Sequence, residues 1–258
     1  MKERKWSREQ EQFLIENYET MKTDELIINL KDKTNDQIRW KAKTYKLHKK
    51  VTKSKKDISW LKDLSIPENC YWWGFLMADG CFTKNQLILS VSNIDREHIE
   101  KFSYKTKAKI SDVCRINDWN PRGCHMLRIA INDKITIQDL ADRFEITDRK
   151  TYNPFNIDEF LTEDKLCSFI VGVIDGDGHI DKFNKNIKIK VHPNWIDKFI
   201  QISNALQLIY NIPTTIRYDK CGWLILTITA KGSRILKSLI TNSNIPYMNR
   251  KWDRIDAV

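Results

Sequence analysis

The chain has 258 residues, a formal net charge of +10 and a pI near 9.2. Its hydrophobic share of 41% can build a packed core, but no apolar run reaches the ~18 residues of a membrane span. The start, MKERKWSREQ, has no apolar segment after its basic residues, so an intracellular protein is expected. The six cysteines form no C-x-x-C pair and the five histidines complete no zinc pattern, which excludes a zinc ribbon or disulfide scaffold.

Residues 1–47 read as three short helices forming a small all-α domain. Ser7 with Gln10, and Thr34 with Gln37, carry the spacing of a capping box, and Thr23 is placed to cap the middle helix. Phe13, Leu14, Tyr18, Leu26, Ile27, Leu30, Ile38, Ala42, Tyr45 and Leu47 keep helical spacing. The polar face of the third helix offers Asn35, Gln37, Arg39, Lys41 and Lys43, types that contact bases and phosphates. With Trp6, an acidic first helix and Trp40 in a basic third helix, the segment resembles a Myb/SANT-like helix-turn-helix, which implies binding in the DNA major groove. A small helical bundle that binds protein is the alternative.

From Arg39 to Lys56 there are nine basic residues and no acid. Such a run repels itself unless a polyanion neutralises it, which points to nucleic acid and releases condensed counterions on binding. Residues 48–58, with Lys53 and Lys55 as candidate phosphate contacts, lack an apolar period and read as a basic linker.

The remainder repeats itself, with halves at 59–156 and 157–258. YWWGFLMADGCF at 71–82 matches SFIVGVIDGDGHI at 168–180. HIEKF at 98–102 matches WIDKF at 195–199, and Arg149-Lys150 echoes Arg250-Lys251. A near-constant offset of 97 to 101 positions argues for two similar subdomains in one chain. Each half reads as helix, two strands, helix, two strands, helix, an α+β order αββαββα whose natural packing is a four-stranded sheet backed by helices. In Ile187–His192 the apolar residues alternate with Lys188, Lys190 and His192, which therefore share one sheet face. With Arg217, Thr227 and Thr229, and with Ser90, Ser92 and Arg128 of the first half, that face suits DNA. An ordinary solvent face gives the same alternation.

Gly74 and Ala78, like Gly172 and Gly176, are four apart, so each pair lies on one helical face and lets two helices approach closely. Asp79 and Asp177 would then emerge together from adjacent helix ends. Two carboxylates at two negative helix C-termini repel unless a proton or cation compensates. Mg²⁺ with oxygen ligands suits such a place, with the carbonyls of Ala78 and Gly176 as further donors and Mn²⁺ or Ca²⁺ as substitutes for binding. A metal held there can activate water for phosphodiester cleavage. Asp175-Gly176-Asp177-Gly178 taken alone also fits a turn.

The two motif blocks resemble the paired signature of LAGLIDADG homing endonucleases over about residues 60–258. The resemblance implies two pseudo-symmetric subdomains with a saddle-shaped sheet. It implies metal ligation by Asp79 and Asp177, while the first acidic position is Asp175 in one copy and Met77 in the other. It implies a basic residue near the scissile phosphates before each closing helix, by position Lys134 and Lys231, and a polar residue on the second strand, Ser90 or Lys190. The implied activity is double-strand cleavage of a long DNA target with short 3′ overhangs, in the manner of intron homing. Because both halves are present, a monomer is expected. The alternative is an RNA maturase, with intron RNA as partner, or a DNA-binding regulator derived from such a nuclease.

Overall fold

The computed structural model describes residues 6–48, 56–117, 120–147 and 149–256. Chain contacts divide it into two units, residues 1–55 and 56–258. Residues 49–55 of the basic run, Lys53 and Lys55 among them, lie outside the described residues.

The first unit holds α1 (Arg8–Asn17), α2 (Thr23–Asn29) and α3 (Asn35–Thr44). Both expected capping boxes form. The amide of Gln10 donates to Ser7 Oγ at 3.2 Å and that of Gln37 to Thr34 Oγ1 at 3.3 Å, each reciprocated by the glutamine side chain. Thr23 does not cap α2. It is already the first helical residue, Lys22 holds the cap position, and Glu25 accepts from the Lys22 amide. Leu14, Leu26, Leu30 and Ile38 form the small core. The half-buried Trp6 packs against that core, with the ammonium groups of Lys33 and Lys41 over its ring at 5.4 and 5.8 Å.

The second unit is α+β. Its first half runs through a 3₁₀ turn η1 (Ser59–Lys62), α4 (Pro67–Asp79), β1 (Gly80–Thr83), β2 (Gln86–Ser92), a 3₁₀ turn η2 (Asn93–Asp95), α5 (Arg96–Thr106), β3 (Ile110–Asn117), β4 (Asn120–Ile131) and α6 (Lys134–Arg143). The second half follows with η3 (Asp158–Phe160), α7 (Glu163–Asp177), β5 (Gly178–Ile180), β6 (Ile187–Val191), η4 (Pro193–Trp195), α8 (Ile196–Tyr210), β7 (Thr214–Tyr218), β8 (Leu224–Ile228), α9 (Ala230–Thr241) and α10 (Asn249–Asp256). Each half forms a four-stranded antiparallel sheet, ordered β1-β2-β4-β3 and β5-β6-β8-β7. The helix α10 is absent from the sequence reading. It is two turns long and shows only Trp252 and Ile255 as apolar anchors, too few for a recognisable period.

One of the matched landmarks is displaced. Strand register pairs Gly80 with Leu89 and Gly178 with Ile189, so Leu89 corresponds to Ile189 and the turn-capping Ser92 to His192. The buried faces of the following helices are Ile99, Phe102 and Thr106 in α5, and Phe199, Ile202 and Leu206 in α8. Phe102 therefore corresponds to Ile202 and not to Phe199. A slip of three residues is nearly one helical turn, and it leaves the apolar face almost unchanged.

The helices α4 and α7 pack side by side at the centre and bury Asn69–Met77 of the one and Leu166 and Ser168–Asp175 of the other. Contact is backbone to backbone. A Cβ on Gly74 would lie 1.9 Å from the Phe169 carbonyl oxygen, and one on Gly172 would lie 2.0 Å from that of Tyr71. Farther along, a Cβ on Gly176 would meet that of Ala78 at 2.2 Å and lie 3.4 Å from Asp79 Oδ2. The small-residue seam thus persists to the helix ends and delivers both terminal aspartates to one place.

Candidate active site and nucleic-acid surface

Asp79 is the last residue of α4 and Asp177 the last of α7, and a strand begins immediately after each. Burial first, and the Asp177 carboxylate second, push Asp79 up to about 6, against the pull of Lys251 and Lys150. Asp177, exposed at the end of its helix, is also raised by partial desolvation, opposed by Lys150 and then Lys251. The pair therefore holds its negative charge at a cost, as expected of carboxylates gathered at helix C-termini.

Two lysines seal those helix ends. Lys150 Nζ donates to the carbonyl oxygens of Met77 and, at 2.8 Å, Ala78. Lys251 Nζ donates to those of Ile174, Gly176 and Gly178 at 2.9, 3.0 and 2.9 Å. The last carbonyls of a helix lack intrahelical donors, and an ammonium group satisfies both their hydrogen bonding and the helix dipole. Burial lowers both lysines, and the nearby carboxylates hold them up, Asp177 foremost for Lys150 and Asp175 for Lys251. The sequence signal for these residues was the Arg-Lys echo at the two repeat ends.

Two expectations change here. Lys134 and Lys231 are exposed in the first turn of the helices after β4 and β8. Those strands end at Ile131 and Ile228, opposite Leu87 and Ile187, whereas the aspartates adjoin the level of Leu89 and Ile189. The register thus runs Lys134 and Lys231 past the level of the acids, and it is Lys150 and Lys251 whose ammonium groups lie at the two helix ends. The carbonyls of Ala78 and Gly176, expected to face a metal, accept these ammonium groups. Asp175 is an interior anchor. It accepts from Tyr71 Oη, the Met248 amide and Trp252 Nε1, each at 2.8 Å, while burial pushes it up to about 6. Tyr71 also bonds His98 Nε2 at 2.7 Å, and burial drives His98 down to about 3. Met77 stands in Asp175's place in the first half, so this network is one-sided.

Among the described residues no group of three His, Cys, Asp or Glu is arranged to hold a metal ion. Two converging carboxylates nevertheless suit Mg²⁺, which keeps several waters and takes substrate phosphates as ligands.

The outer sheet faces carry most of the expected polar residues. Ser90 stands opposite Arg128, and Lys188 opposite Thr227. Arg217 is exposed on β7, level with Lys190 across Ile225. Lys190 is paired with Asp219 at 2.6 Å and lies over the Trp223 ring. Ser90 Oγ and Arg128 Nε are buried without a hydrogen-bond partner. Ser92, His192 and Thr229 have local duties, accepting from the amides of Ile94, Asn194 and Gly232 to cap the next helix. On α3, Lys41 is tied to Glu11 at 2.5 Å and Gln37 serves the capping box, so Arg39 and Lys43 are its exposed cations. Asn35 Oδ1 is buried without a partner. Trp40 stands beside Arg39 and Lys43 with 68% of its surface exposed, an aromatic face the core does not use.

No protein-family model matches the chain, and no curated protein matches it. Solved structures do. The homing endonuclease I-WcaI, bound to its DNA recognition sequence, superposes with a TM-score of 0.52 at 18% identity, over 73% of this chain and 86% of that one. The fold is shared with I-WcaI. I-DmoI in complex with DNA and Ca aligns at 16% identity and a TM-score of 0.48, covering 73% of this chain and 96% of that one. The N-terminal LAGLIDADG domain of DUF199/WhiA gives 12% and 0.48, over 70% and 86%. I-DmoI has also been solved with Mg and with Mn.

Proposed function

We propose that the chain is a divalent-metal-dependent DNA endonuclease of the LAGLIDADG homing type, cutting both strands of a long, weakly palindromic target. The observation that carries this is the pair of costly carboxylates, Asp79 and Asp177, held by the small-residue seam at two helix ends with a lysine, half-buried Lys150 or buried Lys251, closing each end. A core selected for stability alone would not gather such charges; perturbed acids at one convergent point are a mark of chemistry. Asp79 and Asp177 would hold Mg²⁺, and water and target phosphates would complete its coordination. When bound, the metal supplies Lewis-acid activation of water and charge neutralisation at phosphate. Lys150 and Lys251, whose ammonium groups close the two helix ends, would add positive charge beside the carboxylates. The outer sheet faces, led by Arg128, Lys188, Lys190 and Arg217, track the duplex.

The test is a randomised duplex library incubated with the protein in Mg²⁺ and in chelator. Cuts with short 3′ overhangs that need the metal are expected. Retention of DNA without any cut would sink the reading.

A second reading, a binding protein that no longer cuts, is favoured by one observation. The two ammonium groups already balance the two carboxylates and already occupy the Ala78 and Gly176 carbonyls. Tight binding with no metal-dependent cut selects it, and the choice between DNA and intron RNA as ligand then separates regulator from maturase.

The first unit is proposed to bind DNA through Arg39, Trp40 and Lys43 of α3. Removing residues 1–55 should lower affinity at least tenfold and flatten the salt dependence, by ~0.9 in the log–log slope per lost phosphate contact. Fluorescence titrations at several salt concentrations measure it, and an unchanged slope would reassign the module to another partner.

A further inference from the structure

The segments bearing the two lysines are each tied to the opposite half, by different chemistry. In the first half, Asp95 closes η2, with its side chain 10% exposed. Arg250, the second residue of α10 in the other half, grips it in a bidentate ion pair, Nε to Oδ1 at 2.5 Å and Nη2 to Oδ2 at 2.7 Å. Lys251 follows directly. By strand register the residue matching Asp95 is Trp195, which closes η4. Its Nε1 donates to the carbonyls of Lys150 and Thr151, both at 3.2 Å, and Asn194 Nδ2 donates to that of Tyr152 at 2.7 Å. One lysine segment is thus tethered across the centre by a charge-assisted fork, the other by neutral hydrogen bonds.

The Lys251 segment also hydrogen-bonds within its own half. The Met248 amide and Trp252 Nε1 bind Asp175, and Lys251 Nζ binds three carbonyls at the end of α7 and its turn. These fix Lys251 to α7 but not to Asp79 at the end of α4. The fork supplies that second reference point. A bidentate arginine–carboxylate pair fixes direction as well as distance, which a single bond does not.

We propose that the Asp95–Arg250 ion pair is a positioning device that sets Lys251 against Asp79 and thereby governs cleavage of one DNA strand and not the other. The proposal rests on the endonuclease reading above. A duplex lying across a pseudo-twofold axis presents one scissile phosphate to each side, so Lys150 and Lys251 serve different strands. Loss of the fork leaves the Lys150 side, held by Trp195, in place. Misplacement of a positioned group by about 1 Å can cost on the order of a hundredfold in rate.

The experiment uses the full chain and a supercoiled plasmid carrying a target selected with the wild type, at saturating enzyme and in a single turnover. Each strand's rate is read by primer extension, and nicked circle is separated from linear product on a gel. Asp95→Asn and Arg250→Gln are expected to slow one strand at least tenfold and the other less than twofold, so that nicked circle accumulates. The reversed pair, Asp95→Arg with Arg250→Asp, is expected to restore linear product at least in part. DNA affinity and melting temperature, measured in parallel, should stay near wild type. Equal slowing of both strands, or no change in either, overturns the positioning role while leaving the endonuclease reading intact. A wild type that selects no cleavable target overturns both.

Discussion

Asp177→Asn should abolish metal-dependent cleavage, by at least about a thousandfold or on the order of 4 kcal/mol in the barrier, while DNA affinity stays within a few-fold. Asp79→Asn should do the same. The amide keeps the shape of the side chain and removes the charge that would hold the cation, and the cationic sheet faces that meet phosphate are untouched. The same substitution has a second expected consequence. Asp79 is held up at about 6 by burial and by its neighbour. A carboxyl whose folded pKa is raised contributes stability fully below its unfolded value near 3.9, and that contribution is lost as pH rises through about 6. Above that range the ionised pair opposes folding by roughly 1–3 kcal/mol, at about 1.4 kcal/mol per unit. Asp79→Asn should therefore be more stable than wild type at pH 7.5 without metal, and the advantage should vanish by pH 4. Melting curves across that range in chelator check the sign. A variant less stable than wild type at pH 7.5 would show that the lysines more than offset the repulsion. A loss of activity joined to a gain in stability is the pattern expected of residues kept for chemistry.

The second large effect is structural. Gly172→Ala and Gly74→Ala should each destabilise the second unit by about 3 kcal/mol or more, at the upper end of what overpacking usually costs. The added methyl would stand 2.0 or 1.9 Å from a carbonyl oxygen of the facing helix, and no side-chain rotation can relieve a clash between two backbones. The helices must separate, and the whole interior of the unit is built on them. Gly176→Ala meets only the Ala78 methyl and the tip of Asp79, so part of the strain can be relieved at the helix ends. It should cost less stability and more activity, because what moves is the spacing of the acids. Urea denaturation compares the three. Equal losses would mean that the seam yields uniformly along its length.

Much of this arrangement was legible in the sequence because it is written in local patterns. Glycines four apart, a terminal aspartate in each copy, and alternating strands are short-range signals, and the capping boxes at Ser7 and Thr34 are complete within four residues. What escaped depends on distance. Lys150 lies 72 positions from Ala78, and Lys251 lies 75 from Gly176; nothing near either lysine reveals that it closes a helix end. Lys134 and Lys231, chosen by their position in the resemblance, stand in the first turn of regular helices, and strand register runs them past the level of the acids. The slip between Phe102 and Phe199 has a similar origin, since a helix face tolerates a shift of three residues while a strand would expose it at once. The role of Asp175 was hidden because its three donors come from two stretches of chain, at Tyr71 and at Met248–Trp252, each more than 70 positions away.

The unlike tethers on the two sides bear on how this chain can be recombined. Each half carries the anchor for the other half's lysine, so the halves are not interchangeable cassettes. A chimera that takes residues 163–256 from another protein of this fold imports an Arg250 position that must find Asp95, and leaves Trp195's partners behind in the recipient. Successful grafts should be those in which the η2 and η4 turns travel with the segments they hold. In a lineage, the residues at 95 and 250 are then expected to change together, although 155 positions separate them.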